Sequence, residues 1–414
     1  MFKKAVVLFG VVILLTGLAA CGNGNETPQP TEPEPVVPEP PAAERLLPGK
    51  IAIVTNSREP NAEVFLSAVN AIAGYGEDYE EYFIHWPWPA QFFREGELMI
   101  RILQSIADDP EVKVLIINQA VSGTNAAVEA FRKRRDDVFV IYVNPFNVPG
   151  GRAEVDPHSV LNYYNVITGN ADLVLGTNFV SAGERMVSQA KAMGAETFVH
   201  YSHVFSVAHP PSVRLRDDIK EACEMLGIKF MDLCMSQRDH FYHLIQDIPR
   251  QIEAHGENTA FYANRYFSQH LELVIRNGGI YVEPAGTSPF DYFPRAFRLI
   301  GHRHDDPSEM FSTSELLEAI KTAAATAGMT GRLSTFAMSD NALFTFAAVE
   351  YGIKWMRGEV SKEKIDLEVL RQIMVDVIAE QTGVEGLGVN LTKHEFEGVV
   401  FSNFILAVQD YLTF

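Results

Sequence analysis

The sequence predicts an α/β protein built as two lobes in tandem, each a sheet of mostly parallel strands between helices. Short apolar runs such as 51–54, 112–117 and 138–143 lack polar alternation, as strands covered on both faces do. Segments with apolar residues at helical spacing separate these runs, so strand, loop and helix recur as parallel βαβ units. The 414 residues exceed one ordinary core, and the repeat lapses over 156–170 before it starts afresh.

The folded part begins at residue 50. A strand over 51–54 runs into the polar loop Thr55, Asn56, Ser57, Arg58 and Glu59. Pro60, the N-cap residue Asn61 and Glu63 then signal a helix that carries Val64, Ala68 and Ile72 on one face. A second strand over 82–85 gives way to Trp86, Pro87, Trp88 and Pro89, and Leu98, Ile102 and Ile106 mark the next helix. A strand over 112–117 with the loop Asn118, Gln119, Ala120 follows, then a helix over 124–135 and a strand over 138–143 that closes in Asn144, Pro145, Phe146 and Asn147. Residues 171–178 restart the pattern and lead to a helix containing Gly183 and Met186. Strands are expected over 197–201, 229–233, 259–263 and 280–283, with helices over 213–226, 239–255 and 267–276 between them. The tail adds a helix over 314–327, a strand over 333–338, a helix over 341–357, and amphipathic segments over 367–381 and 397–412 that form a helical extension.

Ahead of these elements, Lys3 and Lys4 precede an apolar run over 5–15. That run falls short of the ~20 residues of a permanent span and suits a signal-peptide core. It ends in Leu18, Ala19, Ala20 and Cys21, which resembles the lipobox of bacterial lipoproteins. The resemblance implies lipidation of Cys21 and an anchor on the extracytoplasmic face of the cell membrane. The expected organisation is a signal peptide over 1–20, a disordered Pro/Glu-rich tether over 21–49, lobe 1 over 50–170, lobe 2 over 171–330, and a return to lobe 1 with the extension over 331–414. The net charge of −19 offers no basic face for nucleic acid. The run from Arg132 to Arg135 precedes Asp136 and Asp137 and reads as a solvated helix end. Cys223 and Cys234 are separated by about five residues at ~3.3 Å each, beyond the ~7 Å limit of a disulfide, so two free thiols are expected.

Several stretches together resemble the type I periplasmic binding proteins, the solute receptors of bacterial ABC transporters. GTNFVSAGERMVSQA over 176–190 is similar to the family's crossing into its second lobe, and VRLRDDIKEAC over 213–223 to the arginine-led helix that follows. FYANRYFSQHLELVI over 261–275 resembles a strand ending in a ligand-contacting asparagine, and WMRGE over 355–359 the end of the helix after the return to the first lobe. The resemblance covers residue 50 to about residue 358. It implies a binding protein rather than an enzyme, a small-molecule solute held between the lobes, and a membrane permease as partner. Matched position by position, it carries ligand contact to Asn56, Asn144, Arg214 and Asn264. Sugar-binding members usually have Asp-Arg where Asn144 and Pro145 stand, an aspartate where Ala285 precedes Gly286 and Thr287, and stacking aromatics where Pro60 and Asn61 stand. A simple pentose or hexose is therefore not the expected solute.

Arg58, Trp86, Trp88, Gln119, Phe146, His203, Tyr262 and Glu283 also sit at or near strand ends and complete the candidate contacts. Aromatic faces with sparse amides suit a purine, a flavin-like ring or another aromatic solute, and the expected solute is a small polar or aromatic one, nucleoside-like or a modified sugar. The pairs His200 with His203, His240 with His243, and His302 with His304 have spacings zinc sites use, but no fixed second half accompanies them. Ser361 to Lys364 and Ser339-Asp340-Asn341 match fragments of penicillin-interacting enzymes in reversed order, and Ser339 reads better as a helix N-cap. No cofactor motif is present. Two other readings stay open: a lipoprotein sensor of the same fold that signals to a membrane partner, and a metal-dependent surface enzyme.

Overall fold

The computed structural model describes residues 45–59, 62–92, 94–145, 157–203, 210–235, 240–263, 267–299 and 313–414. The expected signal segment with Cys21, and nearly all of the expected tether, lie outside the described residues, as do Pro60, Asn61, Phe146 and Asn264. Strands are β1 (Lys50–Thr55), β2 (Phe83–Pro87), β3 (Val112–Asn118), β4 (Phe139–Val143), β5 (Leu173–Thr177), β6 (Thr197–His203), β7 (Lys229–Met235), β8 (Thr259–Ala263), β9 (Ile280–Val282), β10 (Leu333–Thr335), β11 (Val389–Phe396), β12 (Val399–Gln409) and β13 (Leu412–Thr413). Helices are α1 (Ala62–Ala73), α2 (Gly96–Ala107), α3 (Thr124–Arg132), α4 (Pro157–Asn170), α5 (Ala182–Ala192), α6 (Pro210–Leu226), α7 (His240–His255), α8 (Phe267–Asn277), α9 (Pro289–Ala296), α10 (Thr313–Thr326), α11 (Asp340–Met356) and α12 (Leu367–Thr382).

Two sheets of mostly parallel strands result, and the fold is two α/β lobes in tandem. The first has the order β11-β12-β5-β4-β3-β1-β2 and the second β13-β10-β9-β8-β6-β7. Pairing is parallel except for β11 with β12 and β10 with β13. The unbroken apolar runs have a direct cause in this layering. Ile51 and Ile53 pack under α1, α11 and α12, while Ala52 and Val54 pack under α2 and α3, so neither face of β1 meets water. The second sheet repeats the arrangement, with Val199 and Tyr201 facing one cluster and Phe198 another.

Three short segments join the lobes: 178–181 from β5 to α5, 336–339 from β10 to α11, and 410–411 from β12 to β13. Each leaves the carboxyl end of a strand. The second delivers the N-terminus of α11 to the carboxyl edge of the first sheet, where Asn118 Nδ2 donates to Asn341 O at 3.4 Å. The carboxyl edges of the two sheets therefore face each other across the crossings.

Several expectations are corrected. The stretch 397–412, expected in a helical extension, forms β12 and β13, because its run Phe404, Ile405, Leu406, Ala407 and Val408 is a buried strand beside β5. The aperiodic stretch 156–170 is largely α4, which its asparagines and β-branched residues disguise. Packing of Tyr164 and Ile167 into the first lobe holds that helix in place. Residues 173–177 extend the first sheet, so the chain departs for the second lobe only after Thr177. The basic run is only half solvated. Lys133 and Arg134 are exposed, but Arg132 donates to Val138 O at 2.7 Å and Asp172 Oδ2 at 2.6 Å, and Arg135 to Val112 O at 2.7 Å. Cys223 and Cys234 are both free, and burial pushes the Cys223 thiol up to about 12.

The early glycine of α5 is a packing requirement. A Cβ at Gly183 would lie 2.8 Å from the Ile219 backbone nitrogen and 2.8 Å from Asp218 Cβ on α6. In an open helix Gly→Ala would gain about 1 kcal/mol, whereas overpacking costs typically 1–3 kcal/mol, and here the obstacle is backbone. Gly183→Ala should therefore lower the urea midpoint with the slope unchanged; a raised midpoint would mean that α5 and α6 can separate freely.

Candidate functional site

The carboxyl edge of the first sheet is polar and backbone-strained. Gln119 follows β3 with φ 54° and Asn144 follows β4 with φ 40°, both in the left-handed region. The cause is the ladder itself: Gln119 N donates to Val143 O at 2.8 Å and Asn144 N to Leu175 O at 2.7 Å, so each residue closes its pairing while turning the chain out of the sheet. Asparagine tolerates this conformation, while glutamine pays of order 1–2 kcal/mol. Strain of this kind gathers at functional sites. Asn56, at the end of β1, donates from Nδ2 to Gln119 Oε1 at 2.8 Å.

Among the described residues, five buried polar atoms without a hydrogen-bond partner lie at the same edge. Asn56 Oδ1, Ser57 Oγ, Trp88 Nε1, Asn118 Oδ1 and Thr124 Oγ1 have none, and each such group costs about 1–3 kcal/mol. Close by, a cavity of about 280 Å³ opens at the N-terminus of α3, bordered by the 120–123 loop, the first turn of α3, Tyr163 and Ile167.

The crossings share one buried hydrogen-bond network. Asp340 Oδ2 accepts from Thr177 Oγ1 at 2.6 Å, and Asp340 Oδ1 from Gln409 Nε2 at 3.0 Å, so one carboxylate touches the ends of β5 and β12 from the start of α11. Asn144 extends the network, accepting from Thr177 N at 3.0 Å and donating to Asn341 Oδ1 at 2.8 Å. Burial raises the pKa of Asp340 against the lowering effect of its hydrogen bonds and of the nearby Arg185. Glu63, enclosed at its carboxyl and bonded to Ser339 and Asn341, is raised by burial and by Asp340. Ser339 caps α11, accepting from Ala342 N at 3.1 Å.

The candidate contacts separate into groups. Asn56 and Gln119 form a bonded pair, and Asn144 is committed to the crossings. Arg58 is exposed just beyond β1, and Trp86, 41 % exposed, stands at the end of β2. Trp88 is only 1 % exposed and fills the core between β1 and α2. Tyr262 is buried and stacked on His200, ring centroids 5.4 Å apart. Glu283 is buried at a crossing: its carboxylate accepts from Thr335 Oγ1 and its carbonyl from Tyr411 OH at 2.9 Å. Arg214 is exposed on α6. His203 ends β6, and its side chain, like Phe146 and Asn264, lies outside what is described. His200 bonds to Asp232 at 2.9 Å, and among the described residues no group of three or more His, Cys, Asp or Glu is placed to hold a metal. Sequence reasoning missed Ser57, Thr124, Thr177, Asp340 and Gln409. Asp340 and Thr177 were detectable only as polar residues that end apolar runs.

Residues 50–334 match the family described as "Protein of unknown function (DUF3798)". The chain belongs to that family. One relative is an uncharacterised protein of Treponema pallidum (strain Nichols), 26% identical over 184 residues, which are 44% of this chain and 76% of that protein. A crystal structure from Clostridium difficile 630, provisionally named a transcriptional regulator, shares the fold of this DUF3798 protein at a TM-score of 0.73, with 18% identity over 89% of this chain and 100% of that one. A sugar ABC transporter structure from Actinomyces odontolyticus ATCC 17982 is similar at a TM-score of 0.42 and 13% identity, over 75% and 84% of the two chains.

Asn144 and Arg214 should respond oppositely to truncation. Asn144→Ala removes the bonds to Thr177 and Asn341 and places alanine at positive φ, for a loss of about 2–3 kcal/mol in chemical denaturation. Arg214→Ala, at an exposed position, should stay within about 0.5 kcal/mol of wild type. Equal losses would contradict these placements.

Proposed function

We propose that this DUF3798 protein is an extracytoplasmic receptor that holds a small solute between its lobes and presents it to an ABC permease. The observation that carries the reading is the pair of parallel sheets whose carboxyl edges face each other, with unpartnered polar atoms gathered along one of them. Ligands of open α/β sheets bind outside the carboxyl ends of strands. A solute that donates to Asn56 Oδ1 would relieve a group that is otherwise buried without a partner. Asn56 and Gln119 would hold it from lobe 1, Arg214 from lobe 2, and exposed Trp86 offers a flat face at the rim. Amides and hydroxyls prevail at the lobe 1 edge, which supports an uncharged, nucleoside-like solute or a modified sugar.

Closure follows from contacts to both lobes. A solute that touches both edges has higher affinity for the closed arrangement and shifts the population toward it by that difference. The test is to identify by mass spectrometry the small molecule that co-purifies with the protein and to titrate it calorimetrically into wild type and Arg214→Ala. A lost hydrogen bond to a charged group, about 1.5–3 kcal/mol, should weaken binding roughly ten- to hundredfold. Equal affinities would remove Arg214 from the site, and the absence of any bound or bindable solute would end the receptor reading.

The lipid anchor belongs to the same proposal and rests on Leu18-Ala19-Ala20-Cys21 behind its apolar run. Stable attachment needs more than one acyl chain, and a lipoprotein cysteine carries several. Cys21→Ala should move the folded part from the membrane to the soluble fraction. Undiminished membrane retention would contradict the anchor.

A further inference from the structure

Thr177 stands between two acceptors that it cannot serve at once. Its hydroxyl lies 2.6 Å from Asp340 Oδ2 and 3.4 Å from Asn144 Oδ1, and a hydroxyl has a single proton to donate. The orientation of the Asn144 amide is settled by its neighbours, because the atom facing Thr177 N–H at 3.0 Å must be the oxygen. With Asp340 ionised, the Thr177 proton belongs on the shorter and charge-assisted bond to the carboxylate.

We propose that Thr177 is a hydroxyl relay in the hinge, switched by a proton on Asp340 and read out at Asn144 on the cleft floor of lobe 1. When a solvent proton binds Asp340 Oδ2, the new O–H donates to Thr177 Oγ1. The Thr177 hydroxyl proton then rotates to Asn144 Oδ1, which still has a free lone pair beside the one facing Thr177 N–H. One proton is taken up, no covalent bond other than the new O–H forms, and the bond from Gln409 to Asp340 Oδ1 persists. Asp340 thus exchanges a donor from β5 for an acceptor there, and Asn144 gains a second hold on the same residue. The three crossings meet at this point, so the exchange alters how tightly β5 is tied to α11.

The charged and titratable groups around Asp340 agree with such a role. Arg185 of α5 favours the ionised form, while Glu63 of α1 and the Tyr411 phenol near the third crossing are the other ionisable neighbours among the described residues. Burial outweighs Arg185 and moves the Asp340 proton affinity upward. A carboxyl raised in the folded state contributes stability that is present below its unfolded pKa and lost as pH rises through its folded pKa. Protonated Asp340 is thus the more stable state of the clasp, and rising pH loosens it. Any effect on solute capture rests on the receptor reading; the relay itself does not.

The experiment uses ligand-free protein. Melting temperatures and radii of gyration from X-ray scattering are measured from about pH 4.5 to about pH 8, as differences between each variant and wild type, which cancels groups that titrate alike in both proteins. Asp340→Asn cannot ionise, so its melting temperature should gain a few degrees on wild type as pH rises. Thr177→Val keeps the shape but removes the relay, and should lose the wild-type pH dependence of the radius of gyration; Thr177→Ser keeps the hydroxyl and should restore it. A pH-independent difference for Asp340→Asn overturns the relay, as does a wild-type profile in Thr177→Val. Either result leaves the co-purification test of the receptor untouched.

Discussion

One buried carboxylate ties together the first-lobe ends of the three crossings. Asp340 is drawn from water at the start of α11 and answers two donors, one from β5 and one from β12, each beside a different crossing. An ionised carboxylate without partners would be too costly to bury. The hydroxyl of Thr177 and the amide of Gln409 offset that cost, and Gln409 also donates to Met338 O at 2.9 Å, within the second crossing. Beside it, the stacking of Phe336 on Tyr411 and the bond from Tyr411 OH to Glu283 O also tie the crossing segments together.

The candidate ligand edge follows from the same economy of buried polar groups. Within the central strands, residues such as Ile116 and Val140 are paired and fully buried, so they have nothing to offer a ligand. Only where strands end do backbone and side chains lose their regular partners. Gln119 and Asn144 recover one bond each by adopting positive φ. Asn56, Ser57 and Thr124 keep an atom unpaired. A solute that supplied the missing partners would recover part of that cost on binding, which is how a pre-formed cleft combines affinity with orientation.

The crossings and the carboxyl edge of the first sheet share residues rather than lying apart. Asn144, which the resemblance assigns to ligand contact, bonds Asn341 and Thr177, both next to Asp340 in the network. A strut so committed has little capacity left for a solute. Its sequence position, directly after a buried strand, is the same one a ligand contact would occupy, and the letters do not distinguish the two roles.

Local order was legible in the sequence wherever one side of a segment decided its fate. The unbroken apolar runs identified β1, β3 and β4 because strands buried on both faces tolerate no polar alternation, and Ser339 announced α11 because a serine ahead of a helix satisfies a free backbone N–H. Parallel order, two lobes and strand-end polarity all followed from such local rules. The return of β12 beside β5 did not, since a five-residue apolar run fits a buried helix or strand equally until its neighbours are known. Helix α4 was hidden for the opposite reason, its poor intrinsic propensity being overridden by packing of Tyr164 and Ile167. Thr177, Asp340 and Gln409 are scattered over more than two hundred residues. Nothing in the chain marks them as one unit, because the shared cost of burying a charge exists only after three distant segments have met.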